Sequence, residues 1–187
     1  MQNCIAAWTS LPIGVVNLAE RHGGRDVTRQ SYEAMVADVM TAIEGFEAKH
    51  RFGARIATKR AHFLGTSGTV TTISGIHLGL PVYERSRVDG CWLNARDVRT
   101  VSNNLIEMSY AERVAQPCIG HERADLVLAG CAILEALLRI WPCQRLRVAD
   151  RGLREGILST LMAEDGHERR GGHRQQAHGP AHGSHRR

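Results

Sequence analysis

The most chemically suggestive stretch of the sequence is His62-Phe-Leu-Gly-Thr-Ser-Gly-Thr-Val-Thr-Thr72. A short strand candidate, Ala61 to Leu64, runs into a turn with two glycines and three hydroxyl residues. Helical spacing follows directly, through Val70, Ile73, Ile76 and His77, until Gly79 and Pro81 end it. Gly65 and Gly68 let backbone approach a ligand closely, and Thr66, Ser67 and Thr69 add hydroxyl donors. The unsatisfied N–H groups of a helix start carry partial positive charge, so this arrangement suits an anion such as phosphate. It is neither a Walker loop nor G-x-G-x-x-G. Spacing alone therefore leaves a second reading equally open, in which Ser67 or Thr69 merely caps a helix after a tight turn.

A second strand, turn and helix is written in Val148-Ala-Asp-Arg-Gly-Leu-Arg-Glu-Gly156. Arg151 and Arg154 are secondary candidates for a phosphate contact. The structural reading is the stronger one: Asp150 caps the helix, Gly152 permits close packing and Arg154 pairs with a neighbouring carboxylate. The five Cys are an odd number, widely spaced, with no C-x-x-C pair. They fit reduced thiols, with Cys131 in the core, and none stands out as a nucleophile. Five His lie beyond Gly166, at His167, His173, His178, His182 and His185, but their spacing defines no tetrahedral metal site. No catalytic residue and no metal ligand is assigned on these grounds.

The elements that carry these residues follow from periodicity. Ile5–Leu11 and Ile13–Leu18 read as short extended segments broken at Pro12. Ser31–Phe46 reads as a helix, with Tyr32, Met35, Val36, Val39, Met40, Ile43 and Phe46 on one face. Further helices are expected over Asn94–Met108, capped by Asn94, and over Glu122–Ile140. Gln144–Ala149 alternates as a strand, and a last helix buries Leu153, Ile157, Leu158 and Leu161. Strands alternating with helices give an α/β class, a sheet covered by helices. From Gly166 onward there is no large apolar side chain, so residues 166–187 are expected to be a disordered tail behind a single body, 1–165.

Composition removes several function classes. The chain has 187 residues, 43% hydrophobic and 23% charged, which supports a packed core. The net charge of +5 belongs mostly to the tail, where five Arg face one Glu; the body is close to neutral. Specific nucleic-acid binding is therefore not expected, although the tail can touch polyanions through charge alone. No run of about 18 uninterrupted apolar residues and no secretory signal is present, which makes a cytoplasmic address the expectation.

Several motifs occur in one order: Ser10-Leu-Pro-Ile-Gly-Val-Val-Asn-Leu18, the GTSGTVTT turn with Leu78-Gly-Leu-Pro81, Arg87-Val-Asp-Gly90, Glu122-Arg-Ala-Asp125 with Ala129-Gly130, and Val148 to Ile157. Together, from about Trp8 to Met162, they resemble the Ppx/GppA family of exopolyphosphatases and guanosine pentaphosphate phosphohydrolases. The resemblance implies one domain of an actin-like, ribonuclease H-like fold that normally closes with a second domain on a phosphate chain. It implies hydrolysis of a terminal phosphoanhydride of polyphosphate or guanosine pentaphosphate by water with Mg²⁺. The family's first domain, its catalytic Glu and the Asp-Gly-Gly-Gly-Ser loop that opens the second domain have no counterpart here. Ile5–Leu11 resembles the second strand of a hairpin without its first. The implied reading is a second-domain portion, with Gly65 to Thr69 binding phosphate, inactive without an N-terminal domain or second subunit. The alternative is a non-catalytic module that binds polyphosphate or a nucleotide.

Overall fold

The computed structural model describes residues 5–57 and 62–175. Two compact units divide the chain, Met1–Asp150 and Arg151–Arg187. The first unit is a three-stranded sheet and eight helices among the described residues. In chain order these are α1 (Val15–His22), α2 (Arg29–His50), α3 (Phe52–Ala57), β1 (Phe63–Gly65), α4 (Gly68–His77), α5 (Arg85–Val88), β2 (Trp92–Asn94), α6 (Ala95–Glu107), α7 (Tyr110–Ala115), α8 (Val127–Ile140) and β3 (Arg145–Val148).

Local chemistry accounts for the helix starts. At α2, Thr28 and Ser31 exchange bonds: the Ser31 N–H donates to Thr28 Oγ1 at 3.1 Å and the Thr28 N–H to Ser31 Oγ at 2.9 Å. At α6, the Asp97 carboxylate accepts from the Asn94 N–H at 3.0 Å. At α7, Ser109 and Glu112 form the same reciprocal box. Helix α2 buries Tyr32, Met35, Val36, Val39 and Ile43, as the periodicity requires. Helix α8 is buried nearly all round, from Val127 to Leu138, and packs against α1, α2, α4 and α6. Cys131 lies at its centre, where burial pushes the thiol up to about 11 and keeps it protonated.

The sheet order is β1-β3-β2, with β1 parallel and β2 antiparallel to β3. Leu93, Leu146 and Val148 point into the core, while Leu64, Arg147 and Trp92 form an exposed cross-strand row. Arg145 and Arg147 both lie over the Trp92 ring. The parallel β1–β3 pairing places Gly65 beside Val148, so both sequence-identified strand ends open at the same edge of the sheet.

Three expectations are corrected. Residues 5–14 form neither strand nor helix, and Val15–His22 is a helix rather than an extended segment. A strand needs a neighbour to hydrogen-bond, and Ile5 and Trp8 remain exposed without one. The Glu122–Ile140 helix begins only at Val127, because residues 121–126 form successive turns. In the second unit, α9 (Leu153–Gln175) carries Leu153, Ile157, Leu158 and Leu161 as exposed side chains, not as a buried stripe. A lone helix has nothing within its own unit against which to bury one face. Helix α9 extends over residues 166–175, and residues 176–187, the rest of the expected tail, lie outside the described residues. No helix among the described residues is long and apolar enough to cross a membrane.

One carboxylate closes the end of α2. Glu47 accepts from the N–H groups of Phe52 and Gly53, each at 2.9 Å, and from Trp141 Nε1 at 2.6 Å. Burial works against its charge, but the three donors outweigh it and hold the carboxyl below its usual range. A depressed folded-state pKa means stability that is present above the unfolded value of about 4.3 and lost as pH falls through the folded one. Urea unfolding of Glu47→Gln between pH 7 and pH 4 should therefore show a smaller loss of stability on acidification than the parent chain shows.

Candidate phosphate-binding site

The Gly65–Thr69 turn is built by packing first. A Cβ on Gly65 would lie 2.8 Å from Val70 Cγ1 and 3.2 Å from Leu146 Cδ1, so a glycine is needed there to seat β1 against the core. Ser67 adopts extended backbone and caps α4, its Oγ accepting from the Val70 N–H at 3.4 Å. The capping reading is thus correct for Ser67. It does not exhaust the turn. The N–H groups of Gly68 and Thr69 open the helix without intrahelical acceptors, and the hydroxyls of Thr66 and Thr69 make no hydrogen bond among the described residues. Thr66, Ser67 and Gly68 are exposed.

Helix α8 supports this turn from behind. A Cβ on Gly130 would fall 2.1 Å from Thr69 Oγ1 and 2.7 Å from its Cγ2. Only a hydrogen at that position allows the helix and the turn to touch.

Tertiary structure adds a residue that the sequence reading passed over as a site. Arg123, on the turns before α8, is exposed and lies over the turn: a Cβ on Gly68 would be 3.4 Å from its Nη1. It makes no ion pair among the described residues. A guanidinium with free N–H groups beside a helix start is a fork-shaped donor set matched to phosphate oxygens. Ser67, Gly68, Thr69 and Arg123 line a cleft of about 270 Å³. The Glu122-Arg-Ala-Asp125 motif was the available signal, but nothing local to it announces its distance from residue 68.

A second cleft, about 490 Å³, shares Gly68 and Arg123 and is walled on its far side by Tyr83 and Asp150. Asp150 is not a helix cap as expected. Tyr83 Oη donates to its Oδ2 at 2.9 Å, Arg85 Nε pairs with the same oxygen at 3.3 Å, and its own N–H donates to Asp89 Oδ1 at 2.9 Å. The Arg85 guanidinium also donates to the Asp150 carbonyl. Burial and the Asp150 bond together raise the Tyr83 phenol, which remains a donor. The carboxylate is thus compensated, and its repulsion of an anion in the cleft is reduced. Arg151 and Arg154 belong to the second unit, where Arg154 is exposed near the start of α9. Among the described residues no group of three His, Cys, Asp or Glu is placed to hold a metal ion.

Replacing Gly130 by Ala tests the α8 support. In an unconstrained helix the change stabilises by about 1 kcal/mol. Here the overlap with Thr69 should reverse the sign, costing about 1–3 kcal/mol in chemical denaturation.

Comparison with known proteins shows the family and the fold. The Ppx/GppA phosphatase family model matches residues 2–165. No curated protein matches the sequence. Among solved structures, a Ppx/GppA protein of Aquifex aeolicus is 25% identical, with a TM-score of 0.68 over 84% of this chain and 49% of that one. An exopolyphosphatase-like protein is 28% identical, with a TM-score of 0.70 over 80% and 48%. An exopolyphosphatase of Cytophaga hutchinsonii, 22% identical with a TM-score of 0.71 over 87% and 51%, shares the fold. The chain spans about half the length of the solved structures it matches. The fold is α/β, of the actin-like ATPase type these structures have, and the chain belongs to the Ppx/GppA phosphatase family.

Proposed function

We propose that this chain is the phosphate-gripping portion of a phosphoanhydride hydrolase of exopolyphosphatase or guanosine pentaphosphatase type. The observation that carries the reading is the unpaired Arg123 guanidinium over Gly68, beside the open N–H groups of Gly68 and Thr69. A terminal phosphoryl group held there receives backbone, hydroxyl and guanidinium donors from Gly65, Thr66, Ser67, Gly68, Thr69 and Arg123, while the compensated Asp150 walls the adjoining cleft. The ligand class is inorganic polyphosphate or guanosine pentaphosphate, met in the cytoplasm.

Hydrolysis asks for more than a grip. The leaving and attacking oxygens need charge neutralisation from both sides and a group that positions water. Mg²⁺ would supply part of that neutralisation, but the described residues offer it no ligand cluster, so no step is assigned to it on this chain. On this reading turnover requires a complementary domain or subunit that carries the acidic groups. The alternative is a non-catalytic module that binds polyphosphate or a nucleotide through the same turn.

Two measurements test these statements. Titration of tripolyphosphate by calorimetry should show weak, salt-sensitive binding that Gly68→Asp and Arg123→Ala each reduce by about tenfold or more, with circular dichroism confirming the fold. Equal affinity in the folded Gly68→Asp variant would leave the turn as a helix cap only. The chain alone with Mg²⁺ should release no phosphate from long-chain polyphosphate above background in a malachite-green assay. Turnover abolished by EDTA would overturn the need for a complementary half.

A further inference from the structure

Arg113, on α7, is the largest fully buried side chain among the described residues, with a relative exposure of 1%. Among the described residues no carboxylate lies at ion-pair distance from it, although the charge of Asp26 acts on it from farther off. Its guanidinium is spent on backbone carbonyls from three separate segments: Nη1 donates to Met108 O at 2.7 Å, Nη2 to Arg25 O at 2.5 Å and Nε to Ala124 O at 3.3 Å. Burying a charge is costly unless its donors are satisfied, so these carbonyls must stay close to where they are for the fold to tolerate Arg113 at all.

The segments that carry two of these carbonyls meet at a tight contact. A Cβ on Gly24 would lie 2.6 Å from Asp125 O, so the 23–25 loop already touches the 123–125 turns without room for a side chain. Arg113 ties Arg25, on one side of that contact, to Ala124, on the other. Ala124 is fully buried and is the residue next to Arg123. The Arg123 carbonyl in turn accepts the Val127 N–H at 2.9 Å, in the turn that leads into α8. The backbone of Arg123 is thus held on its C-terminal side by Arg113, through the Ala124 carbonyl, and by the bond from the Val127 N–H, while its side chain reaches over Gly68.

We infer that Arg113 is a positioning residue for phosphate recognition: its planar three-carbonyl clamp sets the backbone from which Arg123 reaches the Gly65–Thr69 turn. This deepens the function proposed above and rests on it. Lys cannot replace Arg here, because a single ammonium on a flexible stem cannot span three acceptors held in fixed directions.

The test is a double-mutant cycle on the full chain, read as tripolyphosphate affinity at low and moderate salt with thermal melting alongside. Arg123→Ala alone sets the scale, expected at about a tenfold loss with a shallower salt dependence. Arg113→Lys, if folded, should lose nearly as much affinity and show the same shallow salt dependence. Adding Arg123→Ala to it should cost little more, since the two act as one unit. Gly24→Ala, which pushes the Asp125 carbonyl without touching Arg113, should reproduce that loss and keeps the test decisive if Arg113→Lys does not fold. Wild-type affinity in folded Arg113→Lys or Gly24→Ala, or losses that simply add to that of Arg123→Ala, would overturn the inference. Arg123→Ala binding like the parent chain would instead overturn the phosphate reading of the turn itself. Faster hydrogen exchange at the Val127 amide in Arg113→Lys then reports the clamp separately.

Discussion

The first unit depends on how closely helix α8 can approach its neighbours. Ten of its fourteen residues are buried, including Gly130, Cys131 and the carboxylate of Glu135. Small residues at Ala129, Gly130 and Ala132 allow α1, α2, α4 and the turn before α4 to come near. The one charge on its inner side is compensated rather than solvated. Glu135 pairs with Arg139 at 2.9 Å, and Arg139 pairs with Glu33 of α2 at 2.7 Å. The hydrogen bonds that Arg139 donates to Glu33 and Glu135 hold its guanidinium firmly protonated, and those to Glu33 hold that carboxyl below its usual range. The α2–α8 packing therefore carries a charge-assisted tie at its exposed edge and close apolar contact elsewhere.

The candidate site inherits its geometry from that helix. Gly130 bears directly on Thr69, and the turns that lead into α8 carry Arg123 over Gly68. One rigid element thus places both the turn and the cation that faces it. Rigid placement matters because oxyanion recognition depends on donors already in position; donors that must be ordered on binding lose part of their contribution to that ordering. The site is electrostatically simple for the same reason. Its cation is unpaired among the described residues, and the carboxylate that walls the adjoining cleft, Asp150, is already bonded to Tyr83 and Arg85.

The same unit leaves other surfaces open. Among the described residues strand β1 is paired on one side only, and Leu64 on it is 61% exposed. Ile5 and Trp8 are more exposed still, and an apolar groove of about 330 Å³ runs between β1 and α8. Edge strands and apolar surface of this kind are sites where further polypeptide pairs. The chain matches about half the length of its solved relatives, and these open surfaces lie on the half it contains. The exposed apolar side chains of α9, in the second unit, have the same character.

Sequence by itself determined the elements whose signals are local. The apolar spacing of α2, the Asn94 start of α6, the alternation of β3 and the glycine-hydroxyl turn before α4 each depend on residues only a few positions apart. Family membership was legible for a related reason, since co-linear motifs need no coordinates to be compared. Tertiary structure decided what required distant chain to meet. Residues 5–14, read as extended from their composition, form no strand because a strand exists only with a neighbour to bond. The stripe of α9 was visible, but burial requires a second surface that periodicity does not specify. Ser67 turned out to cap its helix while Gly68 and Thr69 kept free donors, a division set by dihedral angles rather than residue types. Arg123 over Gly68 and Arg113 on three carbonyls were hidden for the deepest reason: an arginine's role is set by what lies within a few ångströms of its guanidinium, and here those partners are separated from it by up to 88 positions in the chain.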